Sequence, residues 1–149
     1  MTPVKPDYSI AGSKAGAASA VPAGLGNDRA ACQANQGKAS VTINGNEMTV
    51  SIEGGVDSLN QWASSVPSQG TGKWIALDIA TGTNDITTVE YNGSLLEAAD
   101  VAEANQWGFA AGHFVLWIKA NVVKTTPKTF TLGGEGDTKT FTIKVVDAA

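Results

Sequence analysis

From Ser40 onward, apolar residues recur at every second position over short runs, and turn residues separate the runs. Val41 and Ile43 alternate with polar neighbours, Asn44-Gly45-Asn46 turns the chain, and Met48, Val50 and Ile52 alternate again. Such alternation sets one side of a strand against a core, and Asn-Gly between two runs signals a hairpin. Ile75, Leu77 and Ile79 predict one face of a further strand, stopped by Thr81-Gly82-Thr83-Asn84-Asp85. Ile86 to Tyr91 predicts another, ended by Asn92-Gly93. His113 to Ala120 is apolar at nearly every position, the pattern of a central strand covered on both faces. Thr129–Leu132 and Lys139–Val146 flank Gly133–Asp137 as a closing hairpin, with Phe141, Ile143 and Val145 as its inward row. Leu77, Val115 and Ile143 are expected to be buried on facing sheets, with Trp74 and Trp117 in the same core.

Two short helical insertions are predicted between these runs. Asp57 or Ser58 can cap a turn that puts Leu59, Trp62 and Ala63 on one face. Asp100 and Glu103 have the spacing of a capping box, followed by Ala104 and closed by Gly108. Seven short strands with glycine-rich turns predict an all-β chain, a two-sheet antiparallel sandwich whose last strand ends the domain.

Residues 1–39 have a different pattern. Ala, Gly, Ser and Pro dominate, and Tyr8, Ile10, Val21 and Leu25 are the large apolar side chains. So little apolar surface does not offset the entropy of ordering the segment by itself. The expectation is an arm or linker over 1–39, with a helical turn at Asp28–Asn35, attached to a domain over 40–149. If the arm orders on a partner, Ile10, Val21 and Leu25 are its anchors.

Composition narrows the function more than the fold. The chain has 149 residues, enough for one ordinary domain, with 42% hydrophobic and 16% charged residues. A net charge of −4 and scattered basic residues argue against nucleic acid or an anionic membrane surface as partner. No stretch approaches the roughly 18 apolar residues of a membrane span. Ile10 to Gly26, interrupted by Ser13, Lys14, Ser19 and Pro22, does not form the apolar region of a signal peptide. The reading is therefore a chain made and kept in the cytosol. Cys32, the single cysteine, cannot form an intramolecular disulfide, and His113 offers it no zinc-binding company.

The residue types that carry catalysis are present but scattered. His113 is the one candidate base near neutral pH, and no nucleophile motif surrounds it, so a hydrogen-bonded or solvated strand-end histidine is expected. Glu97, Asp100 and Glu103 fit a helix start, where acids complement the dipole, better than an opposed carboxyl pair. Gly70-Thr71-Gly72-Lys73 mimics the end of a phosphate loop, but Pro67 and Trp74 occupy positions that need glycine and a hydroxyl. Gly134-Glu135-Gly136-Asp137 and the pair Asp78 and Asp85 lack the ligand density of a calcium site. Asn92-Gly93-Ser94 fits a glycosylation sequon and, better, a hairpin turn. No catalytic residue, metal or cofactor is expected. Trp62 and Trp107 lie in the inserted turns. Each either caps an open end of the core or, if exposed, stacks on a glycan or anchors a protein interface.

Three segments, with the closing hairpin, resemble the immunoglobulin-like modules of bacterial surface proteins and phage virion proteins. They are Lys73-Trp74-Ile75-Ala76-Leu77-Asp78-Ile79, Val89-Glu90-Tyr91-Asn92-Gly93 and Gly112-His113-Phe114-Val115-Leu116-Trp117. The hairpin runs from Thr129-Phe130-Thr131-Leu132 to Phe141-Thr142-Ile143, and the antibody disulfide is missing. The resemblance implies a seven-stranded immunoglobulin-like sandwich that binds or builds. An arm on one such module implies a capsid decoration or other virion protein, held to capsid or assembly subunits through the arm. The alternative is an adhesion or carbohydrate-binding module at a bacterial cell surface, with glycan on its outer loops. Homo-oligomers are compatible with either.

Overall fold

The computed structural model describes residues 8–21, 23–63, 70–81, 88–92, 94–96, 113–134 and 137–148. These residues are mostly strand and form two sheets. Strands β1 (Lys14–Ala15), β4 (Trp74–Ala80) and β7 (His113–Lys119) make the smaller sheet, in the order β1-β4-β7. The larger contains β2 (Ala39–Asn44), β3 (Glu47–Glu53), β5 (Thr88–Tyr91), β6 (Ser94–Leu96), β8 (Lys128–Gly134) and β9 (Asp137–Ala148). Its order is β2-β3-β9-β8-β5-β6.

Alternation explains the core between the sheets. Ile75, Leu77 and Ile79 of β4 and Phe114, Leu116 and Ile118 of β7 point to it from the smaller sheet. Met48, Val50 and Ile52, then Phe130 and Leu132, then Phe141, Ile143 and Val145, meet them from the larger. Phe130 joins the layers, stacked on Phe141 at 5.3 Å and edge-on to Phe114 at 6.1 Å. Such pairs add to area burial because ring edges and faces carry opposite partial charge. Gly45, at φ 60, takes the first position of the two-residue loop between Asn44 and Glu47, a place where hairpin turns need glycine.

Several expectations need correction. Nine strands are present among the described residues. The additions are β1 and β6, the latter because Asn92, at φ 52, turns the chain back so that Tyr91 pairs with Ser94. The sandwich is not wholly antiparallel, since β3 and β9 run parallel from Glu47↔Thr142 to Glu53↔Ala148. Strand β7 is covered on both faces, but β4 holds the middle of the smaller sheet. The chain leaves β7 at Lys119 and enters helix α2 (Ala120–Thr125), a helix absent from the sequence reading. Pro127 accounts for its end, because the residue before a proline is driven out of the helical region and Thr126 is extended. The turn near Asp57 is a short 3-10 segment, Val56–Ser58, and it does not carry Leu59 and Trp62 on one face. Leu59 joins the core between the sheets, whereas Trp62 lies in a second cluster. The insertion around Asp100–Glu103 lies outside the described residues.

The largest correction concerns the N-terminal segment. Its described part, residues 8–21 and 23–39, is not an arm. Tyr8 and Ile10 are buried in the main core, Lys14–Ala15 pairs with β4, and the supposed boundary at Ser40 falls inside β2. After β1 come 3-10 turns at Ala18–Ala20 and Ala23–Asp28, then helix α1 (Arg29–Gln36). Low apolar content misled because the cover needs only Val21, Leu25 and Cys32 to pack on the outer face of the smaller sheet, which supplies the large side chains itself.

Candidate functional site

The outer face of the smaller sheet holds the most unusual chemistry of the described residues. The alternation that aims Ile75 and Leu77 inward aims Trp74, Ala76 and Asp78 outward, and β7 adds Val115 and Trp117. The N-terminal cover buries the upper part of this face with Val21, Leu25 and Cys32. Val115, Trp74 and Trp117 are thus buried as expected, but beneath this cover and not between the sheets. Leu77 and Ile143 do share the core between the sheets.

Trp62 closes the cluster. Its backbone N–H and C=O both pair with Gly72 at 3.0 Å, and its ring meets Trp117 edge-on at 5.9 Å. Trp62 is only 3% exposed, and among the described residues its Nε1 has no hydrogen-bond partner. Trp74 donates its Nε1–H to the Gly70 carbonyl at 3.0 Å, and the Lys119 ammonium lies 5.1 Å from the Trp74 ring centre. Lys119 also explains Gly72, where a Cβ would come within 2.9 Å of the lysine stem.

Two neighbouring amides fasten the cover. Gln36 accepts the Ala76 N–H at 2.7 Å and donates to the Ala76 carbonyl at 3.0 Å and the Gly16 carbonyl at 2.7 Å. Its side chain thus continues the pairing of β4 where β1 has ended. Asn35 does the same for the loop, donating to the Asn60 carbonyl at 2.9 Å and accepting the Asn60 N–H at 2.8 Å. Both are buried, at 1% and 4% exposure for Asn35 and Gln36, and burial is tolerable only because these bonds are made. The sequence reading missed both amides. Their one signal was the pair of amides at the end of a predicted helical turn.

Below the cover, the His113 imidazole Nδ1 lies 3.0 Å from an Asp78 carboxylate oxygen. The ring is about half exposed, with 55% of its side-chain surface open, so this is a hydrogen-bonded strand-end histidine. Burial pushes the Cys32 thiol up to about 12 and the Tyr91 hydroxyl likewise to about 12. A thiol held protonated is a poor nucleophile and a poor metal ligand. Among the described residues there is no group of three or more His, Cys, Asp or Glu side chains able to hold a metal. Among them, too, no helix is long and apolar enough to cross a membrane.

The partner-binding residues drawn from sequence fare differently from expectation. Ile10, Val21, Leu25 and Trp62 are all buried within the chain's own packing, so none is open to a partner or a sugar. Ile10 lies in the core between the sheets, whereas Val21 and Leu25 of the cover and Trp62 lie in the second cluster, so they do not form one site. Trp107, Glu97, Asp100, Glu103, Asp85 and Glu135 lie outside the described residues. No protein-family model matches the chain, and comparisons with curated proteins and with solved structures give no match.

Proposed function

We propose that the protein is a non-enzymatic structural and binding module, a building unit of a larger protein assembly. The observation that carries this reading is how its reactive groups are engaged. The thiol is buried and held protonated, the histidine sits open on a strand end beside Asp78, and the buried amides are taken up by backbone. Two facing sheets without a disulfide support an immunoglobulin-like architecture, extended by β1 and by the β5–β6 hairpin. A phage virion, as a capsid decoration protein, is the first assembly proposed. Because residues 8–39 belong to the fold, attachment in this proposal runs through the folded surface and not through an arm.

One observation favours the second reading, a module of a bacterial surface protein. Side-chain bonds fix the sandwich at both of its poles, which suits a module held between neighbours. Tyr8 is bonded at the β8–β9 hairpin, whereas Asp147 is bonded to α2, which follows the far end of β7. Antibody labelling in the cells that carry the gene, read by electron microscopy, separates the readings. Label on virions supports the first and label on the cell envelope the second. Diffuse cytosolic label overturns both.

A further inference from the structure

We infer that this module bears tension along its long axis, with strand β9 as the element that carries the load from one pole to the other. The inference rests on the structural-module reading and adds a mechanical role to it.

The lower pole is fixed where β4 ends and β7 begins, at Ala80↔His113, and the upper pole at Trp74↔Lys119. The larger sheet has the same polarity. Gly134↔Asp137 closes the β8–β9 hairpin at the lower pole, where the Tyr8 hydroxyl donates to the Gly134 carbonyl at 2.6 Å. Lys139, two residues into β9, donates its ammonium to the Tyr8 carbonyl at 3.0 Å. Ser13 then accepts the Ala80 N–H at 2.9 Å as the chain starts up the smaller sheet. A downward pull at Tyr8 is therefore passed to the base of β9.

Strand β9 covers the whole distance, over 12 residues from Asp137 to Ala148. Its lower half, Asp137–Ile143, pairs with β8 and its upper half, Thr142–Ala148, pairs with β3, so β9 ties the two strands together end to end. At the upper pole Asp147 is held twice, by the Val56 N–H at 2.8 Å and the Lys124 ammonium at 2.6 Å. Bonds between antiparallel strands lie across the strand direction, and those of the parallel β3–β9 pair slant to it. A pull along β9 therefore loads all its bonds together, in shear. A pull across the sheet loads them one pair after another.

The larger sheet offers a control inside the same molecule. Ser40, the second residue of β2, lies at the upper pole, since Ala39 pairs with Ile52 and Ile52 with Asp147. A pull between positions 40 and 148 thus acts across the strands from one end. The test is single-molecule stretching of the full chain through paired cysteines, Ser9→Cys with Ala148→Cys against Ser40→Cys with Ala148→Cys. Buried Cys32 does not compete for the handles. The first pair is expected to unfold at a several-fold higher force than the second at equal loading rate. Equal forces, or a weaker axial direction, overturn the inference. Tyr8→Phe keeps the ring and removes the bond to Gly134, so it should lower the axial force and spare the other. Equal lowering in both directions overturns the role given to Tyr8. Failure of this anisotropy leaves the labelling result untouched, and failure of the labelling leaves the anisotropy untouched.

Discussion

The side-chain amide of Gln36 pairs with both backbone groups of Ala76, accepting at 2.7 Å and donating at 3.0 Å across a separation of 40 residues. A helix end thereby completes a strand edge, and the cover over the tryptophans becomes part of the sheet's own hydrogen bonding.

Gln36→Ala should cost about 2–3 kcal/mol, because it leaves buried backbone groups of β4 without partners. Urea denaturation measures this as a lower midpoint. A midpoint within error of the parent chain would show that water replaces the amide.

Removal of residues 1–36 is expected to lower the melting temperature and to expose Trp62, Trp74 and Trp117, which the cover now buries. Tryptophan emission should shift to the red, and an apolar dye should bind the bared face. Unchanged emission would mean that the sandwich closes over these rings without its cover.

Leu77→Ala or Ile143→Ala should each destabilise the fold by about 2–5 kcal/mol, as for other large-to-small changes at buried sites. Both residues are fully buried between the sheets. Denaturant titration reads the loss, and a change below half a unit would contradict their placement.

Cys32 should resist maleimide in the native protein and react once the chain is unfolded in urea. Its pKa is raised by burial from 9.0 to about 12, so the folded state binds the proton more tightly than the unfolded state. Stability from this group is complete below pH 9 and is lost as pH climbs toward 12. Cys32→Ala should flatten that alkaline loss in melting curves, and an unchanged slope would assign it elsewhere.

The Lys124–Asp147 pair has a different pH profile. Its hydrogen bond raises Lys124 and, with the Val56 N–H, lowers Asp147. A lowered carboxylate stabilises above its unfolded pKa and loses that contribution as pH falls through the folded one. A raised ammonium stabilises below its unfolded pKa and loses its share as pH rises through the folded one. Asp147→Asn should therefore lower the melting temperature modestly at neutral pH and converge with the parent in strong acid. A constant gap through the acid range would rule out the charge as the cause.

The sequence by itself determined which residues share a strand face. Ile75, Leu77 and Ile79, Met48, Val50 and Ile52, and Phe141, Ile143 and Val145 all face the core between the sheets as alternation requires. The Asn44-Gly45-Asn46 turn, the closing hairpin and the helical turn that became α1 were likewise legible, because turn and strand preferences act over a few neighbouring residues. Alternation also says that Val115 and Trp117 point away from Phe114, but not what covers them. Only the tertiary structure decided that Val21, Leu25 and Cys32 do so, that β9 lies between β3 and β8, and that Asn35 and Gln36 replace strand partners. These are contacts between residues far apart in the chain, and their strength comes from burial and from backbone groups that have no water to turn to. An alanine- and glycine-rich segment carries almost no local sign of such contacts, since its worth lies in how closely small side chains let it approach a sheet.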